Sequence, residues 1–160
     1  MKVNVFTSYF AKMAKRKKQD NDFYVSVAHS SYCPMLDLNG IPVKNQIDYN
    51  FSFLAPKVQN LDEYEECLDD EDLEQLKEFL EPSNFTYEPD FEGEILPKET
   101  NVFLLCYENL NAKYTEKDEE KALKKGCTDI KKGELKKCHR TILAKILKKK
   151  YNIDVQEFEQ

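Results

Sequence analysis

Cys138, His139 and Arg140 stand consecutively in "KKCHRTILAKIL" (136–147), setting a thiol, an imidazole and a guanidinium ahead of an apolar, helix-periodic run. Each type brings its own chemistry. An imidazole with an ordinary pKa of about 6.5 exchanges protons near neutrality, as a general acid or base must. A guanidinium stays charged, and its planar fork fits a phosphate or carboxylate with two bonds, most of all beside a helix start whose unpaired N–H groups already favour anions. A thiol on a helical stripe is ordinarily a small buried hydrophobe. Counting from Leu135, the face through Cys138, Ile142 and Ile146 forms the core stripe. That count puts Cys138 in the core and leaves Arg140 off the stripe, as an anion clamp or as an ion-pair partner for Glu108.

Further polar residues close the expected strands. "KVNVFTSYF" alternates Val3 and Val5 and ends in Thr7, Ser8 and Tyr9; "DFYVSVAHS" ends in His29, Ser30 and Ser31. "NVFLLCYE" (101–108) is apolar on both faces, as at the centre of a helix-covered parallel sheet, and ends in Cys106, Tyr107 and Glu108. In open parallel sheets, ligands sit beyond these carboxyl ends. The expected ligand residues are therefore Thr7, Ser8, Tyr9, Tyr107, Glu108, His139 and Arg140.

The elements that position them alternate between strand and helix. After the second strand, "CPMLDLNGIPVKNQ" reads as a long loop. Residues 61–80 read as two short acidic helices, split at the "DDED" run, where Asp69 or Asp70 supplies an N-cap. A helix at about 115–125 ends at Gly126, another spans about 134–150, and "YNIDVQEF" closes the chain as an edge strand. This order predicts one α/β domain over 1–160: a Rossmann-like, open, mostly parallel sheet flanked by helices.

Four of these stretches, in the same order, carry a resemblance. "FTSYF", "LAP" at 54–56, "LLCYE" at 104–108 and "CHR" at 138–140 together resemble the uncharacterised domain-of-unknown-function family four-eight-eight. The resemblance covers most of the chain. It implies a small Rossmann-like protein with no settled activity, and site positions at Thr7–Tyr9, Cys106–Glu108 and Cys138–Arg140. In that family a handful of residues separate the last two motifs, whereas here a lysine-rich insertion at about 109–137 intervenes. The insertion suggests a specialised lid or partner surface.

Composition narrows the function further. Residues 61–99 carry sixteen acids against two lysines, and 113–150 carry fourteen Lys or Arg against six acids, beneath a formal net charge of -6. Such segregation fits neutralisation within the fold, and no aromatic-interleaved basic motif marks a nucleic-acid surface, so nucleic acid is not an expected partner. No apolar run reaches the roughly 20 residues of a membrane span, no secretory signal opens the chain, and a cytoplasmic protein is expected. Five scattered cysteines without a C-x-x-C pair read as free thiols. Cys106, Cys138, His139 and Glu108 include metal-ligating types, but their spacing follows no zinc pattern, so neither metal nor cofactor is expected. With four glycines there is no phosphate-cradling loop and no nucleophile elbow.

The reading is binding of a small phosphate-bearing, nucleotide-like ligand, extending to sequestration of a signalling nucleotide in the manner of a phage counter-defence protein. A nucleoside or nucleotide hydrolase using Glu108 as base in the same pocket is the first alternative. A protein-interaction module built on the insertion is the second. A homo-oligomer is left open.

Overall fold

A computed structural model describes residues 2–28, 36–57, 60–85 and 99–159. Five strands form one sheet: β1 (Lys2–Tyr9), β2 (Asp22–Ser26), β3 (Tyr49–Asn50), β4 (Glu99–Cys106) and β5 (Val155–Glu157). Their order is β3-β2-β4-β1-β5, and every pairing is parallel. The expected α/β architecture with a Rossmann-like open sheet is what the chain adopts. Parallel strands need covering on both faces, and β4 shows why it lies at the centre: Val102, Phe103, Leu104 and Leu105 are all fully buried.

Side chains alternate across the sheet, so two cores form. On one face Val5, Val25, Val102 and Leu104 pack against Leu143, Ile146 and Leu147 of α5 (His139–Tyr151) and against Leu73 and Leu76 of α3 (Asp70–Phe79). On the other, Tyr24, Phe103 and Leu105 pack against Phe10, Met13 and Ala14 of α1 (Phe10–Ala14). Each fully buried Leu or Phe stabilises the fold by about 1.5–3 kcal/mol relative to exposure.

The acidic region forms two helices, α2 (Tyr64–Cys67) and α3, with the break at Leu68 and Asp69. Asp69 is the N-cap of α3, its carboxylate accepting from the Glu71 amide at 2.8 Å. In the insertion, α4 (Glu116–Lys124) begins with a capping box between Thr115 and Asp118 and is followed by Gly126 at φ 80°, a left-handed conformation that glycine adopts without a Cβ clash.

Two expectations need correction. The last helix begins at His139 rather than near 134. The Lys113–Leu135 bridge and the bond from the Lys136 amide to the Ala112 carbonyl, 2.8 Å, hold the preceding segment extended. The helical stripe therefore cannot be counted from Leu135. Its buried positions are His139, Arg140, Leu143, Ile146 and Leu147, so Arg140 lies on the core stripe and is fully buried. Beyond the long loop the chain adds a strand that the sequence reading did not include, β3, two residues paired to the outer edge of β2.

Candidate functional site

The chain leaves β1 through α1 on one face of the sheet and leaves β4, by way of the insertion, for α5 on the opposite face. Connections that diverge in this way open a crevice at the carboxyl ends of the two strands. In register, that point is the pairing of Tyr9 with Cys106. The start of α5 meets it from above, and β5 adds Glu157 opposite Thr7.

These residues form a buried polar cluster. The Arg140 guanidinium grips Glu157 with two bonds, Nε to Oε1 at 3.0 Å and Nη2 to Oε2 at 2.9 Å. Its Nη1 donates to the Cys106 sulfur at 2.9 Å and to the Glu108 carbonyl oxygen at 2.7 Å. The Tyr9 ring lies under the guanidinium at 5.7 Å, and the Thr7 hydroxyl donates to Glu157 Oε1 at 2.8 Å. The expected ion pair with Glu108 is replaced by one with Glu157, since parallel pairing of β5 to β1 delivers that carboxylate to the buried fork.

His139 is buried beside it. Its Nε2 faces the Val27 carbonyl oxygen at 2.6 Å, and its Nδ1 lies 3.6 Å from the Cys138 sulfur. Tyr64 packs edge-on against the ring at 5.5 Å. The expectation of free thiols is corrected for one pair: Cys106 and Cys138 meet sulfur to sulfur as a disulfide, with Cα atoms 7.6 Å apart. Cys67 is exposed and Cys127 buried as free thiols, and Cys138 takes the core position expected of it.

The other expected ligand residues separate. Ser8 and Tyr9 are neighbours on a strand and so leave it on opposite faces. The Ser8 hydroxyl is fully buried and has no hydrogen-bond partner among the described residues. Tyr107 packs its ring on Phe10 at 4.8 Å. His29, Ser30 and Ser31 lie outside the described residues, as does Cys33.

Glu108 belongs to a recess that only the insertion creates. Its carboxylate stands 3.7 Å from Lys136, and the two line a cavity of about 390 Å³ with Tyr114, Lys121, Ala122, Lys125 and Ile130. Asp118 edges the same cavity. Bonds from the Thr115 backbone and hydroxyl hold its carboxyl below the usual range, with Lys136 and Lys121 adding to the effect. Burial raises the Tyr114 hydroxyl above the ordinary tyrosine value. A second, more open groove of about 800 Å³ runs beside α5, lined by Leu110, Leu135, Lys136, Lys137, Cys138 and Ile142 among others. Lys121 and Lys125 of the Glu108 recess come from the expected helix at about 115–125, where "KDEEKALKK" gives spacing but no sign of an enclosing wall.

Fold and site together define a small parallel α/β domain whose switch point holds a disulfide–imidazole–guanidinium cluster. Compared with protein-family models, with curated proteins and with solved structures, the chain matches none. The family resemblance rests on the four short motifs alone. No helix among the described residues is long and apolar enough to cross a membrane.

Proposed function

We propose that the protein binds a small phosphate-bearing, nucleotide-like ligand, received in the recess beneath Glu108. The observation that carries this reading is the convergence of Lys121, Lys125 and Lys136 on one cavity that also has apolar and aromatic lining. Its volume falls within the roughly 300–1,000 Å³ of small-molecule sites. Ammonium groups meet phosphate as point charges, Tyr114, Ala122 and Ile130 offer surface to a base, and Glu108 can accept from a ribose hydroxyl. Arg140 serves this site indirectly, because its fork is filled by Glu157 and its Nη1 holds the Glu108 backbone. Retention without turnover amounts to sequestration of the ligand.

The test incubates purified protein with a mixture of nucleoside mono-, di- and triphosphates, removes unbound material, denatures, and identifies what is released by mass spectrometry. An unmodified nucleotide, lost on replacing Lys121 and Lys125 by Ala, is the expected result. A converted nucleotide moves the reading to a hydrolase, and release of nothing from any mixture overturns it.

A further inference from the structure

We infer that Cys106, Cys138 and His139 form a binding site for a thiophilic divalent cation of the zinc type. All three residues are buried, and one donor atom from each lies within 4.8 Å of the other two. This grouping is independent of the lysine recess. No sequence pattern announced it, because two of the ligands are adjacent residues at a helix start and the third is a strand end thirty-two positions away.

Three features of the surroundings suit a metal. A carbonyl oxygen can only accept, so the 2.6 Å contact with Val27 places the ring proton of His139 on Nε2 and leaves the Nδ1 lone pair on the side of the sulfurs. Metal-bound histidines characteristically donate their other ring N–H to a backbone carbonyl or carboxylate in this way, which fixes the tautomer and the ring. Arg140 Nη1 lies 2.9 Å from the Cys106 sulfur and sets a fixed positive charge beside the donor that reduction of the disulfide would free. The backbones of the two cysteines stand 7.6 Å apart, beyond the roughly 4.4–6.8 Å that ordinary disulfides span. Two thiolates sharing a tetrahedral zinc, each about 2.3 Å from it, sit about 3.8 Å apart and use that extra width.

Charge balance supports the same reading. Two thiolates and one neutral imidazole neutralise a divalent cation, and the buried Arg140 already has Glu157, so loading leaves no uncompensated charge in the core. Loading starts from the dithiol: a thiol or phosphine reductant first delivers two electrons and two protons to the Cys106–Cys138 disulfide, and the cation then displaces the two thiol protons to solvent with no further change of oxidation state. Sulfur and imidazole donors select zinc-type ions over magnesium or calcium, which take oxygen. Three protein ligands leave a fourth position, and Cys138 lines the open groove beside α5, which gives the ion its path from solvent.

The test uses full-length protein reduced with a phosphine, stripped with a chelator, desalted without oxygen and titrated with Co²⁺. One equivalent per chain should produce thiolate-to-cobalt charge transfer and the intense visible bands of tetrahedral coordination, both erased by one equivalent of Zn²⁺. Cys106→Ser and Cys138→Ser should each abolish the charge-transfer signal or reduce it by about half, while Cys67→Ser and Cys127→Ser leave it unchanged. Because a buried variant can unfold, a second measurement uses the wild type: zinc should protect Cys106 and Cys138, but not Cys67, from alkylation mapped by mass spectrometry. Absence of the cobalt bands in folded, reduced protein overturns the inference. So does recovery of Cys106 and Cys138 as a disulfide that zinc, added before oxygen, fails to prevent.

Discussion

Arg140 and Glu157 meet as a bidentate pair, 3.0 and 2.9 Å, with the guanidinium fully buried and the carboxylate at the rim. The pair joins the first turn of α5 to the three-residue edge strand β5, which is otherwise tied to the sheet by its pairing with β1. Removing one member of a buried pair leaves the other desolvated and unpaired, which costs about 3–5 kcal/mol. Glu157→Ala should therefore lower unfolding free energy by roughly 3 kcal/mol, at the low end of that range because the carboxylate is partly wet. Arg140→Ala should cost more, since it also strips Cys106 and the Glu108 carbonyl of their donor. The double variant should cost less than the sum of the two. Denaturant unfolding measures all three, and a loss below about 1 kcal/mol for Glu157→Ala would mark an ordinary surface bridge.

Ser8→Ala separates two roles for one residue. As a ligand-binding hydroxyl it would be needed for nucleotide retention. In the structure it is buried, unpaired among the described residues, and on the opposite face of β1 from Tyr9. A buried polar group without a partner costs about 1–3 kcal/mol, so its removal should leave stability unchanged or raise it, with nucleotide retention intact. Lost retention in a folded Ser8→Ala protein would return the hydroxyl to the site.

The sheet was legible from the sequence because burial on both faces leaves an unmistakable trace: "VFLLC" has no polar position to spare, and β4 is central. Asp69 and Gly126 were legible for a local reason, since caps act through their own backbone neighbourhood. Arg140 was misplaced by phase. A stripe counted from Leu135 through Cys138 and Ile142 is one residue out of step with the buried His139 and Leu143, because 113 and 135 bridge and delay the helix to His139. Glu157 left no trace of its role, because only the parallel register of β5 on β1 carries it to Thr7 and the guanidinium. Cys138 was correctly read as buried, but its meeting with Cys106 is a tertiary fact that spacing cannot encode.

The capping box of α4 should be felt at the recess. Thr115 and Asp118 hold the first turn of the helix that carries Lys121 and Lys125. Thr115→Ala should destabilise by about 1 kcal/mol and weaken nucleotide retention without touching the ligand. The pH dependence has a definite sign. Asp118 is held below its usual pKa chiefly by bonds from Thr115, so its contribution is complete above the ordinary carboxylate value of about 4 and is lost as pH falls through the lower folded value. Protection of the α4 amides, taken relative to the intrinsic exchange rate at each pH, should fall in that acid window in the wild type, and Asp118→Asn should show the lowered protection already at neutral pH. Equal protection of α4 in the two proteins at neutral pH would remove the box from this role.

The acidic helices bear on partner choice. Lys149 lies 3.7 Å from Glu65 on α2, and Lys150 meets Asp70 at the start of α3 at 2.5 Å. Exposed pairs of this kind contribute about 0–1 kcal/mol each, so Glu65→Gln with Asp70→Asn should barely move the unfolding midpoint. Their consequence lies in the field around α5. Its last turn carries Lys148, Lys149 and Lys150, a basic run that Asp154, Glu65 and Asp70 each face. With the carboxylates in place the run is locally neutral, and phosphate-backbone binding, which scales with the number of uncompensated cations, has little to act on. The wild type should therefore pass through a heparin column at about physiological salt, where electrostatics act over roughly 8 Å. The double variant should be retained there and elute on raising the salt. Retention of the wild type, or identical elution of the two proteins, would mean that the acidic helices do not mask the α5 lysines.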